Sequence, residues 1–403
     1  MNQLSPPGYL LYTAEMMFEA VILAAVTISS VGLTAPGDVA FQRGDFAVAL
    51  SDYAAQVASN PSDATALLGL GTMELYRNDL ADAKEHLMRA QRLDPKNPTI
   101  QRRLRTVNER ETKPGEFRIA LQGAQAIVPF VATDPLPLLR VKINGHDALL
   151  LLDTGAPAIG LTPDAAKRFG VASQAAGQGV FAGGKQAEVQ KGRIDRVELP
   201  GVTVRDVPAA ILPGDLELGG HHIDGALGTI FLEQFLSTID YPLGRLILRP
   251  RSESSNFERS ARAKGAAMES MWLVGDHFIF ARARINGLPD ALFNIDTGGA
   301  GLGVQLTKAS LDAAAIVPNV SKTQDFVGGA GPVRGVPFSA SSVSLGSFTQ
   351  RNVPGLYFPD GDQFGIFPFS VAGTLSHEFF HKTALTFDFD AMQIVVDAGR
   401  QSK

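Results

Sequence analysis

Leu149-Leu150-Leu151-Leu152-Asp153-Thr154-Gly155 and Leu292-Phe293-Asn294-Ile295-Asp296-Thr297-Gly298 follow one pattern, 143 residues apart. In each, an apolar run of strand character delivers an Asp onto a tight Gly turn. A lone Asp-Thr-Gly would read as ordinary turn chemistry, but here the flanks repeat too. Ile143-Asn144-Gly145 precedes the first copy and Ile285-Asn286-Gly287 the second, and Asn-Gly is the signature of a two-residue hairpin turn. Two such strands in one chain can bring two carboxylates face to face. Like charges about 3 Å apart cannot both ionise, so such a pair keeps one shared proton. One member is then a general base and the other a general acid, which suits water attack on an amide.

The repetition continues downstream. Ile223 to Leu248 reads IDGALGTIFLEQFLSTIDYPLGRLIL, and Ser370 to Val396 contains VAGTLSHEFFHKTALTFDFDAMQIVV. Laid together without gaps, Gly225 meets Gly373, Leu227 meets Leu375, Phe231 meets Phe379, Asp240 meets Asp388 and Tyr241 meets Phe389. The closing run Leu246-Ile247-Leu248 meets Ile394-Val395-Val396. This is internal duplication.

Both units resemble retropepsin-like aspartic proteases, in which a hairpin, an apolar strand, Asp-Thr-Gly, a flap, a short helix and a closing strand follow in order. Two units in one chain resemble the two-lobed pepsin plan, over roughly residues 117 to 398. The resemblance implies Asp153 and Asp296 as catalytic residues. It implies that Thr154 and Thr297 lock the two loops together across the lobe boundary, with Gly155 and Gly298 completing them. It also implies Gly-rich flaps over the substrate, at Phe181-Ala182-Gly183-Gly184 and Phe326-Val327-Gly328-Gly329, in preference to the plain hairpin tips that such residues also form. No metal and no cofactor are implied, and the partner is a peptide or protein substrate.

Lobe 2 departs from the pattern. Asp-Thr-Gly is followed by Ala156 in lobe 1 but by Gly299 in lobe 2. Ala226-Leu227-Gly228 has the Gly expected behind the loop, whereas Thr374-Leu375-Ser376 has Ser. Neither flap carries the Tyr of pepsin. These departures keep open a non-catalytic peptide-binding protein with protease-like lobes. A third arrangement, each lobe pairing with its counterpart in a second chain, stands beside the one-chain monomer.

His377-Glu378-Phe379-Phe380-His381 matches H-E-x-x-H, the zinc helix of many metallopeptidases. No Glu follows Glu378 and no His follows His381, so a third ligand would have to be Asp388, Asp390 or Asp397. The aligned Thr229-Ile230-Phe231-Leu232-Glu233 has no ligand pattern, which favours a structural helix. His221-His222 reads as a surface pair.

Residues 37 to 111 are different. Gly44-Asp45-Phe46 and Asn78-Asp79-Leu80 are 34 apart, as are Ala49 and Ala83, Tyr53 and Leu87, and Asn60-Pro61 and Asp94-Pro95. The period resembles tetratricopeptide repeats, pairs of antiparallel helices, here two repeats with a capping helix around Thr99 to Glu109. Ala49, Ala83, Gly69 and Gly71 would let helices approach, with Leu67, Leu70, Tyr76 and Leu87 filling the interior. Such repeats recruit a protein partner or serve as a spacer or dimer contact.

Before them, Ala20 to Ile28 is apolar but too short for a comfortable membrane span. Its length suits the core of a secretory signal and hence an exported or periplasmic protein, although no Lys or Arg precedes Arg43. A buried helix or amphipathic anchor in a cytoplasmic protein is the alternative. The expected organisation is therefore multidomain: 1–35 a signal peptide or apolar helix, 36–112 all-α helical repeats, and 117–398 an all-β bilobal region. Within that region 117–250 is lobe 1, 251–270 a polar linker and 271–398 lobe 2. A second polar linker is expected at Arg105 to Glu116.

A formal net charge of -5 with no basic run gives no reason to expect nucleic acid. The absence of cysteine removes disulfides and thiolate catalysis. Forty-one Gly and 24 Pro fit many turns between short strands.

Overall fold

The computed structural model describes residues 35–399 and the two-residue strand Ala14–Glu15. The apolar segment Ala20 to Ile28 lies outside the described residues. No described helix is long and apolar enough to cross a membrane.

Five helices come first: α1 Pro36–Gln42, α2 Phe46–Ser59, α3 Ala64–Tyr76, α4 Leu80–Leu93 and α5 Pro98–Glu116. Asp63 caps α3 by accepting the amides of Thr65 and Ala66, and Asn97 caps α5 through Thr99 and Ile100. A Cβ on Gly71 would stand 2.7 Å from Leu87 Cγ, so the close approach of α3 to α4 depends on that glycine. The polar tract expected as a linker from Arg105 belongs to α5. Its solvent face is charged, while Val107 and Arg110 on the other face are buried.

The repeats are not a free arm. Phe46, Tyr76, Trp272, Phe280 and Phe369 share one core cluster, which spans the helices and lobe 2. Phe46 meets Phe369 edge-on with ring centroids 4.8 Å apart, and Trp272 at 5.4 Å. Arg110 of α5 is buried and donates to the carbonyls of Leu75 (2.8 Å), Leu273 (2.9 Å) and Gly275 (2.5 Å).

The lobes repeat one topology. In lobe 1, strand His146–Leu152 runs parallel to Gly225–Leu227, which also pairs antiparallel with Ile159–Leu161. In lobe 2, Ala291–Ile295 runs parallel to Gly373–Leu375, which pairs antiparallel with Val304–Leu306. A side chain on Gly225 would collide with the carbonyl oxygen of Gly160, and one on Gly373 with that of Gln305. The aligned glycines thus serve the same backbone crossing. Both Asn-Gly turns form as expected, with Asn144 at φ 50 and Asn286 at φ 50. Asn144 Oδ1 accepts the Arg196 amide and Asn286 Oδ1 the Ser342 amide, each at 3.1 Å.

A six-stranded sheet joins the lobes, in the order 126–132, 245–249, 236–240, 384–388, 393–397, 267–274. Its middle seam pairs Leu236–Asp240 with Ala384–Asp388 antiparallel, and Thr238 Oγ1 meets Thr386 Oγ1 at 2.8 Å. The expected linker between the lobes is shorter and more ordered than its polarity suggested. Ser254–Lys264 is a helix with a Glu258–Arg262 ion pair at 2.7 Å and Gly265 in the left-handed region at its end. Lobe 2 begins at strand Ala267–Val274.

Candidate active site

Each parallel strand pair ends in an Asp-Thr-Gly loop, and the two loops abut. The Thr154 amide donates to Thr297 Oγ1 (3.1 Å), the Thr297 amide donates to Thr154 Oγ1 (3.0 Å), and Thr154 Oγ1 donates to the Ile295 carbonyl (3.0 Å). All of these atoms are buried, so the bonds are shielded from competing water. Each Asp accepts its own Gly amide: Gly155 to Asp153 Oδ1 at 2.8 Å and Gly298 to Asp296 Oδ1 at 2.9 Å.

The carboxylates cross over onto the opposite loop. A Cβ on Gly155 would stand 2.6 Å from Asp296 Cγ, and one on Gly298 would collide with the Asp153 carboxylate. Glycine in both loops is therefore what lets the two acids approach. Asp153 and Asp296 are 0 % and 1 % exposed, and Asp153 Oδ2 has no hydrogen-bond partner. Burial and the Asp296 charge hold Asp153 well above the usual carboxylate range. Burial lifts Asp296 to about 6, opposed by the Gly298 amide, Asp153 and the nearby His277.

The departures seen in lobe 2 meet each other. The Gly299 amide donates to Ser376 Oγ at 3.0 Å, and a Cβ on Gly299 would stand 2.5 Å from that oxygen. In lobe 1 the larger residue is on the loop, Ala156, and a side chain on Gly228 would collide with the Ala156 carbonyl oxygen.

Both flap candidates sit on hairpins. Ser173–Phe181 and Lys185–Leu199 flank the tip Ala182–Gly184, and Gln324–Gly328 and Gly331–Leu345 flank the other. The tips touch one another. A Cβ on Gly329 would meet Phe181 Cδ1 at 2.6 Å, and one on Gly183 would meet Val333 Cγ1 at 2.6 Å. Gly328 lies near Ala182, and Gly184 faces the Asp362 carbonyl. Phe181 packs with Ala156 and Ala300 beside the loops, and Phe326 packs with Ala182 and Leu302. Both rings are buried.

His277 escaped the sequence reading. It is buried in the turn between Ala267–Val274 and Phe278–Ile285, and its Nδ1 lies 2.5 Å from Asp276 Oδ1. The signal available was positional, since this turn is the lobe 2 counterpart of the 133–137 turn before the first catalytic strand. Of the zinc motif, His377 is buried and His381 Nδ1 lies 2.9 Å from the Glu378 carbonyl. Asp388 accepts from Ser254 and from the amides of residues 390 and 391, and Asp390 pairs with Arg251. Neither turns toward His377. His221 and His222 are exposed on a short strand paired with Leu216–Leu218.

An aspartyl protease family model matches residues 139–231 and again 281–367, and a tetratricopeptide repeat model matches 35–98. The chain thus carries two retropepsin-like units behind helical repeats. A retropepsin-like aspartic protease from Rickettsia conorii is 18% identical with TM-score 0.24, covering 33% of this chain and 92% of its own. The aspartic proteinase from Irpex lacteus is 12% identical with TM-score 0.43, covering 70% and 100%. Basic 7S globulin from soybean is also 12% identical, with TM-score 0.38, covering 70% and 96%. No curated protein matches the chain.

Proposed function

We propose that this chain is an aspartic-type endopeptidase whose dyad is Asp153 and Asp296, one from each lobe. The observation that carries the reading is two buried carboxyl groups held against one another by paired Asp-Thr-Gly loops, both shifted upward. The pair shares one proton near neutral pH. The ionised member takes a proton from water as its oxygen bonds to the scissile carbonyl carbon. The protonated member gives its proton to the carbonyl oxygen, producing a neutral gem-diol. As the C–N bond breaks, the amine takes a proton from the protonated member while a gem-diol hydroxyl gives its proton to the ionised one, restoring the dyad with no covalent intermediate. Both acids come from one chain, so one copy suffices. The hairpin tips open to admit a peptide and close to exclude water.

The non-catalytic reading rested on Gly299 and Ser376. Their hydrogen bond supplies lobe 2 with a support of its own, which favours the catalytic reading. The helical repeats lie against lobe 2, so a recruited protein would be presented by a unit fixed to the enzyme.

Digestion of a peptide library with the native chain, Asp153→Asn and Asp296→Asn, each with and without pepstatin and a chelator, tests the reading. Cleavage by the native chain alone, stopped by pepstatin and untouched by the chelator, is expected. Cleavage surviving in either variant refutes the dyad.

A further inference from the structure

The 133–137 turn of lobe 1 and the helix His377–Phe380 of lobe 2 come together at the lobe boundary. Asp134, His377 and Glu378 each offer a ligand atom there, and these atoms lie within 4.8 Å of one another. His377 is 0 % exposed and neither ring nitrogen has a hydrogen bond. Its Nε2 stands 3.5 Å from Asp134 Oδ1, beyond good hydrogen-bonding distance. The Tyr241 ring packs edge-on against His377 with centroids 5.2 Å apart, and the Tyr241 hydroxyl is likewise buried without a partner. Buried polar groups are nearly always satisfied. Here an imidazole and a phenol are left short at one spot, beside two carboxylates.

We propose that Asp134, His377 and Glu378 bind one divalent first-row transition-metal ion, with Zn²⁺ the best match, and that this ion ties lobe 1 to lobe 2. One imidazole nitrogen with two carboxylate oxygens suits such an ion, whereas Ca²⁺ and Mg²⁺ favour all-oxygen sets. The Asp134 side chain is 74% exposed, which leaves an entry path and room for solvent ligands. The third ligand missing from the His377 motif thus comes from the other lobe.

The set differs from a metallopeptidase helix. There both histidines bind and the Glu is a base. Here Glu378 is within the ligand cluster, and His381 stands aside with its ring centroid 6.2 Å from that of His377. The ion would therefore bridge rather than hydrolyse. Lobe 1 has no twin of the site, because Thr229 takes the place of His377 and its hydroxyl donates to the Thr154 carbonyl at 2.8 Å. The proposal stands independently of the dyad's chemistry.

The test uses full-length protein freed of metal by a chelator. It is titrated with Zn²⁺ by calorimetry and with Co²⁺ by visible absorption, and its melting temperature is followed in parallel. One equivalent is expected, with Co²⁺ ligand-field bands and a higher melting temperature on Zn²⁺ addition. Losing even a supporting residue weakens metal sites about tenfold or more, so His377→Ala, Asp134→Asn and Glu378→Gln should each weaken Zn²⁺ at least about tenfold. Asp134 is on an exposed turn, so Asp134→Asn stays informative if His377→Ala fails to fold. Absence of Zn²⁺ binding, preference for Mg²⁺ or Ca²⁺, or undiminished affinity in Asp134→Asn and Glu378→Gln overturns the site.

Discussion

Ser376 Oγ accepts the amide of Gly299 at 3.0 Å, occupying the space that a side chain on Gly299 would need. Two residues that look like separate lapses in lobe 2 are one exchange. In lobe 1 the corresponding amide, that of Ala156, instead donates to the Asp153 backbone carbonyl at 3.2 Å. Ser376 therefore holds an amide that in lobe 1 closes the turn of its own loop.

A double-mutant cycle exposes this coupling. Gly299→Ala alone overpacks against Ser376 and should cost about 1–3 kcal/mol. Ser376→Gly alone orphans a buried amide and should cost about 1–3 kcal/mol. The double variant restores the lobe 1 pairing and should be more stable than the sum of the singles. Additive losses in urea denaturation would show that the two positions are independent.

Asp153→Asn or Asp296→Asn should lower cleavage by at least about 10²-fold while the chain stays folded. The amide keeps the shape of the carboxyl and removes a buried titrating group. Circular dichroism and thermal melts alongside peptide digestion check both halves of the expectation.

The raised acids fix the sign of two pH effects. A folded-state value above the unfolded one means that the native chain binds the extra proton, so this contribution is complete below the ordinary value of 3.8 and is lost as pH rises through about 6. For Asp296 the loss is on the order of 3 kcal/mol. Urea midpoints should fall between pH 4 and pH 7 (roughly the window of that shift), less so in Asp296→Asn. Cleavage should rise along the same interval, because the dyad must lose its first proton before it can activate water.

His277 opposes the rise of Asp296 through its charge. His277→Asn should move the acidic limb of the pH–rate profile upward. An unmoved or lowered limb would contradict this account.

Arg110→Met should loosen the helical repeats from lobe 2. It leaves the carbonyls of Leu75, Leu273 and Gly275 without their shared donor. A cost of about 2–4 kcal/mol is expected. Faster hydrogen exchange at residues 36–116 and 270–280, with slower change in lobe 1, would report it.

The duplicated frame was legible because its constraints are local. Gly225 and Gly373 permit a backbone crossing, Asn144 and Asn286 a turn, and the Leu-rich runs a buried strand. Contacts between distant segments left no such trace. Nothing near Ser376 in sequence announces Gly299, nothing near Asp134 announces His377, and Arg110 looks like one more charge on a polar helix. Polarity itself misled at 105–112, since a solvated helix and a linker share a composition when one face alone is buried. The two flap hairpins were visible as glycine-rich tips, but their mutual contact required the fold.

The seam between Leu236–Asp240 and Ala384–Asp388 has a consequence for any half of this molecule. Severed from its sibling, either lobe presents a bare row of backbone donors and acceptors along that strand, a surface that recruits whatever extended chain comes first. Its best-fitting available ligand is another copy of itself. A lone amino-terminal lobe would then rebuild a symmetric version of the whole, with Asp153 facing Asp153, and the fused gene reads as the arrangement that made that meeting independent of concentration.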